Sequence, residues 1–158
     1  MKIKNKYIPL AEPVLDGNEK KYLSYCINDG WISTAGKFVD KFENKLKSYV
    51  DAKFATSFIN GTSALHIGLK LLKLNRGDEI IVPSITFISP INTVIYNSCS
   101  PIFMDCDDYF NIDIEKTIDF IKKETIFKKG YTLNKKTKKV IKAILVVHVF
   151  GNAVNLYE

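Results

Sequence analysis

Short apolar runs alternate with longer amphipathic stretches along this chain, and that order leaves few folds open to it. Strand-length runs at residues 54–59, 79–82, 101–104 and 141–149 are separated by segments of helical period. Those segments place Tyr22, Leu23, Cys26 and Ile27 on one face, then Val39, Phe42, Leu46 and Tyr49, then Leu65, Gly68, Leu69 and Leu72. Ile91, Val94 and Ile95 follow, and then Ile114, Ile118 and Ile121. The run at 141–149 is nearly unbroken, which suits a central strand covered on both faces. Strands and helices in alternation predict an α/β layered fold, its sheet mainly parallel and flanked by helices. Local signals agree. Asp16-x-x-Glu19 has the form of a capping box opening the first helix, and Asp29-Gly30 closes it. Arg76-Gly77-Asp78 reads as a turn, and Pro83 stops a strand.

The length of 158 residues fits one domain of ordinary size. An apolar fraction of 46% and a charged fraction of 25% are those of a soluble globular chain. Cys26, Cys99 and Cys106 lie far apart with no C-x-x-C pair, a pattern that suits a reducing compartment better than a disulfide framework. The basic start, residues 1–6, is followed by Ile8-Pro9-Leu10-Ala11-Glu12, where a secretory signal needs a longer apolar run. The stretch at 143–150 is too short to span a bilayer. The expectation is a cytoplasmic protein with no membrane partner.

A formal charge of +6 invites a nucleic-acid reading, but its distribution argues otherwise. Residues 122–142 carry nine lysines and one glutamate, which leaves the rest of the chain at −2. No arginine and no nucleic-acid motif accompany Phe127 and Tyr131 in that segment. It is expected to be a solvated lysine-rich loop inserted in the domain. Loss of salt-dependent DNA retention on deleting 122–142 is the result that would favour the other reading.

Three segments have the residue types for ligand contact. Asn60-Gly61-Thr62-Ser63-Ala64-Leu65 falls between a predicted strand and a predicted helix. Gly61 permits a tight turn and close approach of a ligand. Helix-start amides with the Thr62 and Ser63 hydroxyls suit an anion such as phosphate. The alternative is an ordinary N-cap formed by Thr62 or Ser63. Pro83-Ser84-Ile85-Thr86-Phe87 follows a strand end, where open α/β sheets bind ligands. Phe87 there has two readings, stacking on a flat ring or capping the core. Gly30-Trp31-Ile32-Ser33-Thr34-Ala35-Gly36-Lys37 is not a P-loop, because its spacing is too long, Phe38 stands where Ser or Thr is required, and a helix precedes it. Trp31 and its neighbouring hydroxyls fit a ligand-contacting loop and a packed loop equally well.

Other chemistry finds less support. His66 and His148 have no metal-ligand spacing, and His66 reads as a satisfied structural histidine. Asp105, Asp107 and Asp108 read as a turn after a strand rather than a metal cluster.

Taken in order, Gly30-Trp31-Ile32-Ser33, Asn60-Gly61-Thr62-Ser63-Ala64-Leu65, Gly77-Asp78-Glu79, Pro83-Ser84-x-Thr86-Phe87, Asp105 and His148-x-x-Gly151 resemble the sugar aminotransferases of the DegT/StrS family. The match runs from Ile8 to the end of the chain. Glu12-Pro13, Gly17-Asn18-Glu19, Tyr22, Cys26, Gly30-Trp31 and Asn134-Lys135-Lys136-Thr137 resemble the branch that makes UDP-linked 4-amino sugars for bacillosamine or legionaminic acid.

The resemblance implies the N-terminal part of a type I pyridoxal phosphate-binding large domain across residues 1–158, with 122–142 as an insertion. It implies a homodimer, pyridoxal phosphate as cofactor, and transfer of an amino group from glutamate to a 4-keto-6-deoxy UDP-sugar. Gly61, Thr62 and Ser63 match the family's phosphate cup, Phe87 its ring-stacking aromatic, and Asn92 a polar helix position near the cofactor. Trp31 and Ser33 match the loop near the substrate. In the family, an acidic partner of the ring nitrogen and the Schiff-base lysine come further along than Glu158. No catalytic residue is therefore assigned here, and a non-catalytic remnant or binding fragment is the alternative reading.

Overall fold

A computed structural model describes residues 7–9 and 11–157. The chain divides into two compact units, one up to Ser57 and one from Phe58 onward.

The first unit holds helices α1 (Glu19–Asn28) and α2 (Lys37–Tyr49). The expected capping box does not form. Asn18 is the N-cap of α1, and the Glu19 carboxylate accepts a hydrogen bond from the Gly17 amide at 2.9 Å. A box spans three residues from its cap, so a cap at Asn18 puts Glu19 too early to close one. Aromatic contacts knit the unit, with the Phe38 ring 5.1 Å from Tyr22 and 5.9 Å from Tyr25. The Glu43 carboxylate accepts from both the amide and the hydroxyl of Ser57, at 2.8 and 2.9 Å.

Residues 54–59 form no strand. Ile59 is 93% exposed and Phe54 78%. Their β-type composition stands unpaired, since among the described residues no strand lies alongside to complete a ladder. Strand propensity describes fit to a neighbouring strand more than a backbone preference, which is why the pattern misled here.

The second unit is a three-layer sandwich. Its helices are α3 (Gly61–Leu71), α4 (Ile88–Tyr96) and α5 (Ile114–Glu124), and its strands β1 (Glu79–Pro83), β2 (Ser100–Met104), β3 (Thr125–Lys128), β4 (Tyr131–Asn134) and β5 (Val140–Ile144). The sheet order is β2-β1-β5-β4-β3. β1 pairs in parallel with β2 and β5, while β3–β4 and β4–β5 are antiparallel. The α/β class holds, and the sheet is mixed rather than mainly parallel.

The antiparallel half comes from the lysine-rich segment, which is a hairpin and not a loop. Ile126 stands opposite Leu133 and Phe127 opposite Thr132. Lys129 and Gly130 join the strands with φ of 53° and 81°. Two positive φ values in a two-residue turn match the right-handed twist of the flanking strands. Lysine density masked this hairpin in the sequence. Lysines along an edge also discourage pairing with another chain.

β5 is central, as its apolar run predicts, but its ladder ends at Ile144. Glu79 pairs with Ile141 and Ile80 with Ala143, so Lys142 is the extra residue of a bulge. An extra residue reverses the side-chain phase, sending Ile141 and Ala143 to opposite faces. Alternation along β1 feeds two cores. Ile80 and Val82 pack with Leu69, Ile91, Val94 and Leu145, on the side of α3 and α4. Ile81 packs with Met104, Ile112 and Val154, on the side of α5. Ile95 departs from its predicted core role and is exposed.

Glu79 is the unexpected member of this interior, at 3% exposure. Its carboxylate accepts from Asn134 Nδ2 at 2.9 Å. Asn134 Oδ1 in turn accepts from the Lys136 amide at 2.9 Å and the Thr137 amide at 3.4 Å. One side chain thus shapes the turn after β4 and tethers the hairpin to the first residue of β1.

Candidate functional site

The carboxyl end of β1 gathers the predicted ligand-contacting residues of the second unit. The chain leaves β1 at Pro83, and the Ser84 amide donates to the Met104 carbonyl at 2.8 Å, fastening the exit loop to the end of β2. The loop then enters α4 with Phe87 as N-cap, extended at φ −64° and ψ 153°, with no side-chain cap.

α3 begins beside it. Its cap is Asn60, not Thr62 or Ser63. Asn60 Oδ1 accepts from the Ser63 amide at 2.9 Å, the reach of an N-cap side chain to the third helical residue. Asn at a strand-to-helix break is a strong cap signal, and Gly61-Thr62 drew attention from it. With Ser63 capped, the amides of Gly61 and Thr62 remain at the helix start without an intrahelical acceptor. A Cβ built on Gly61 would meet nothing within 4 Å, so the approach to these amides is open. The Thr62 and Ser89 hydroxyls are hydrogen-bonded, Oγ1 to Oγ, at 2.9 Å, which ties the first turn of α3 to the first turn of α4. Two helix starts, each carrying a partial positive charge, therefore converge on one spot.

Phe87 is 79% exposed, which removes the core-capping reading. Its ring shares a cleft with Thr86, Val147, His148 and Phe150. His148 Nδ1 accepts from the Val154 amide at 3.1 Å, which leaves Nε2 to carry the proton of the neutral ring. The His148-x-x-Gly151 segment is a turn, with Gly151 at φ 85°. Thr86 Oγ1 is buried and has no hydrogen-bond partner among the described residues. A buried hydroxyl without a partner costs free energy, and a ligand group can satisfy it. Asn92 is half-buried one turn further along α4.

Trp31 and Ser33 belong to the first unit. They line a cleft there with Leu23, Cys26, Lys37 and Phe38, and both are exposed. Lys37 Nζ lies 3.1 Å from Asp29 and 3.6 Å over the Tyr25 ring. His66 is not the satisfied histidine expected, because its buried Nε2 has no partner among the described residues. Asn97 Nδ2 donates to the Thr93 carbonyl at 2.8 Å and to the His66 carbonyl at 3.4 Å.

The acidic run after β2 behaves as a turn. Asp107 Oδ1 accepts from the Tyr109 and Asn111 amides, each at 2.9 Å. Asp105 pairs with Lys116 at 2.6 Å, and its carboxyl is held below the ordinary aspartate value by that ammonium and then by the Cys106 amide. Lys116 is held above its ordinary value by the Asp105 and Asp113 carboxylates. The stabilisation from Asp105 is therefore present above the unfolded aspartate pKa and is lost as pH falls through the lowered folded value. A carboxyl-carbon NMR titration is expected to place Asp105 below free aspartate, and Lys116→Met to return it upward. An Asp105 midpoint unmoved by that substitution would reject the pairing.

The profile of the DegT/DnrJ/EryC1/StrS aminotransferase family matches residues 13–158. The chain belongs to this family. It is 36% identical over 149 residues to GDP-perosamine synthase of Vibrio cholerae, covering 94% of this chain and 36% of that protein. It is 28% identical to the putative pyridoxal phosphate-dependent aminotransferase EpsN of Bacillus subtilis, covering 98% of this chain and 37% of that one. Among solved structures, a DegT DnrJ EryC1 StrS aminotransferase from Brucella abortus superposes with a TM-score of 0.75 at 27% identity, over 87% of this chain and 35% of that one. GDP-4-keto-6-deoxy-D-mannose-3-dehydratase of E. coli, with bound hydrated PLP, gives 0.75 at 25% identity, over 94% and 36%. The chain thus spans about a third of the length of these relatives. No described helix is long and apolar enough to cross a membrane.

Proposed function

We propose that this chain carries the phosphate- and ring-holding part of a pyridoxal phosphate-dependent aminotransferase acting on a sugar nucleotide. The observation that carries the reading is the convergence of the α3 and α4 starts beside an exposed Phe87. The residues suit the cofactor's chemistry. Gly61 and Thr62 amides and the Thr62 and Ser63 hydroxyls would hold its phosphate, with the helix dipoles favouring the dianion. Phe87 would lie against the flat ring, and Asn92 supplies a polar group on the same helix. When bound, the cofactor draws electrons from a carbon attached to the transferred nitrogen, so that a proton can leave there. Trp31 and Ser33 are assigned to the substrate. A homodimer in the cytoplasm, residues 1–158 as the first part of the large domain, and 122–142 as its insertion complete the proposal.

The amino donor is proposed to be glutamate and the acceptor a 4-keto-6-deoxy sugar nucleotide. Two readings of the nucleotide are held. The motifs around Gly17-Asn18-Glu19 and Asn134-Lys135-Lys136-Thr137 favour UDP, and 36% identity to a GDP-perosamine synthase favours GDP. Retention of GDP- and UDP-linked 4-keto-6-deoxyhexose by the chain separates them, and retention of neither removes the sugar-nucleotide reading.

The cofactor reading is tested with pyridoxine 5′-phosphate, which lacks the aldehyde and cannot react with the many lysines. Binding is expected to be weaker, but still measurable, for pyridoxine without the phosphate. Phe87→Ala is expected to weaken it several-fold, since an aromatic stack is worth about 0.5–1.5 kcal/mol beyond area burial. The unliganded melting temperature should barely move, because Phe87 is exposed. Equal loss of stability with and without ligand would show that Phe87 does not stack.

A further inference from the structure

A hydrogen bond that joins α3 to α4 at the site lies between two hydroxyls, and the second belongs to a residue that nothing above assigns to the ligand. Thr62 Oγ1 and Ser89 Oγ are 2.9 Å apart. Each sits in the first turn of its helix, Thr62 in α3 and Ser89 in α4. Both are half-buried, so water competes weakly for the contact.

We propose that Ser89 is a positioning residue of the anion site, orienting the Thr62 hydroxyl toward the phosphate; this rests on the phosphate reading above. A hydroxyl has one hydrogen to donate and two lone pairs with which to accept. In the proposed arrangement Ser89 donates its hydrogen to Thr62 Oγ1, and the Thr62 hydrogen is left for the phosphate. The hydroxyl that accepts within the pair becomes the better donor outward, because chained hydrogen bonds polarise one another. Thr on a helix otherwise divides between two χ1 wells, so a fixed partner selects one orientation. The same bond sets the spacing of the two helix starts, whose partial positive charges both favour the dianion. Pro90 follows Ser89 and has no amide hydrogen, so one of the helix-start donors of α4 is missing.

The test measures the dissociation constant of pyridoxine 5′-phosphate for the chain and for Thr62→Val, Ser89→Ala, Ser89→Thr and the double variant Thr62→Val/Ser89→Ala. Pyridoxine without phosphate is the control ligand, and unliganded melting temperature checks folding. Ser89→Ala is expected to weaken binding about threefold to tenfold, the worth of one neutral hydrogen bond. Ser89→Thr keeps the hydroxyl and should restore affinity to within about twofold of the parent, and Ser89→Ala should add no more than that in the Thr62→Val background. Pyridoxine affinity should be the same throughout. Parent-like affinity in Ser89→Ala with a loss in Thr62→Val overturns the role of Ser89 and leaves the phosphate reading standing. Parent-like affinity in Thr62→Val overturns both. Equal losses in the two backgrounds show that Ser89 acts independently of Thr62, and equal losses for pyridoxine show a general disturbance; either result overturns the proposal.

Discussion

Replacing Thr62 with valine is expected to weaken pyridoxine 5′-phosphate binding about tenfold or more. Valine keeps the branched shape and removes the hydroxyl. A hydrogen bond to a charged group is worth about 1.5–3 kcal/mol, and a phosphate dianion is such a group. The change also deprives Ser89 of its partner at 2.9 Å, so the effect contains a positioning part as well as a direct one. Helix α3 should survive, because its cap is Asn60 and not Thr62. That separates the two readings of Thr62 cleanly. If Thr62 were only a helix-start residue, the variant would bind as the parent does. Unchanged affinity at unchanged melting temperature is the result that removes Thr62 from the phosphate site.

Asn134→Leu is expected to lower stability by about 3 kcal/mol, because it strands a buried carboxylate and dismantles a turn together. Glu79 loses the Nδ2 donor at 2.9 Å, and the Lys136 and Thr137 amides lose their acceptor. The hairpin β3–β4 should loosen first, since Asn134 ties it to β1. Amide exchange in β4 and β5 reports this, and denaturant midpoints give the magnitude. Replacing both polar partners by apolar ones is far less costly than removing one. Glu79→Leu combined with Asn134→Leu should therefore recover a large part of the loss. A double variant no more stable than the single one would mean that the turn alone, and not the buried pair, accounts for the effect.

These two residues show how differently the site and the fold are written in the chain. The places of Thr62 in the first turn of α3 and of Phe87 at the cap of α4 are legible because helix starts are local signals. A ligand for them was implied by the family resemblance and not by the adjacent residues. Glu79 and Asn134 are 55 positions apart, and no local pattern announces their contact. The contact of Ser89 with Thr62, 27 residues earlier, is likewise announced by no local pattern. The Asn60 cap was within reach of sequence reasoning, as Asn is among the preferred caps, but two hydroxyl residues close behind it competed for the role.

Periodicity determined the helices, the α/β class and the central place of β5, because burying one face of each element needs a repeat that the sequence must carry. The family resemblance likewise stood on short ordered motifs and needed no coordinates. Only the tertiary structure decided what each strand pairs with. It left residues 54–59 without a ladder, turned a lysine-rich stretch into two strands, and cut β5 at Ile144 after a bulge at Lys142. Strand formation depends on a neighbour whose sequence distance is unconstrained, whereas a helix closes its hydrogen bonds within four residues.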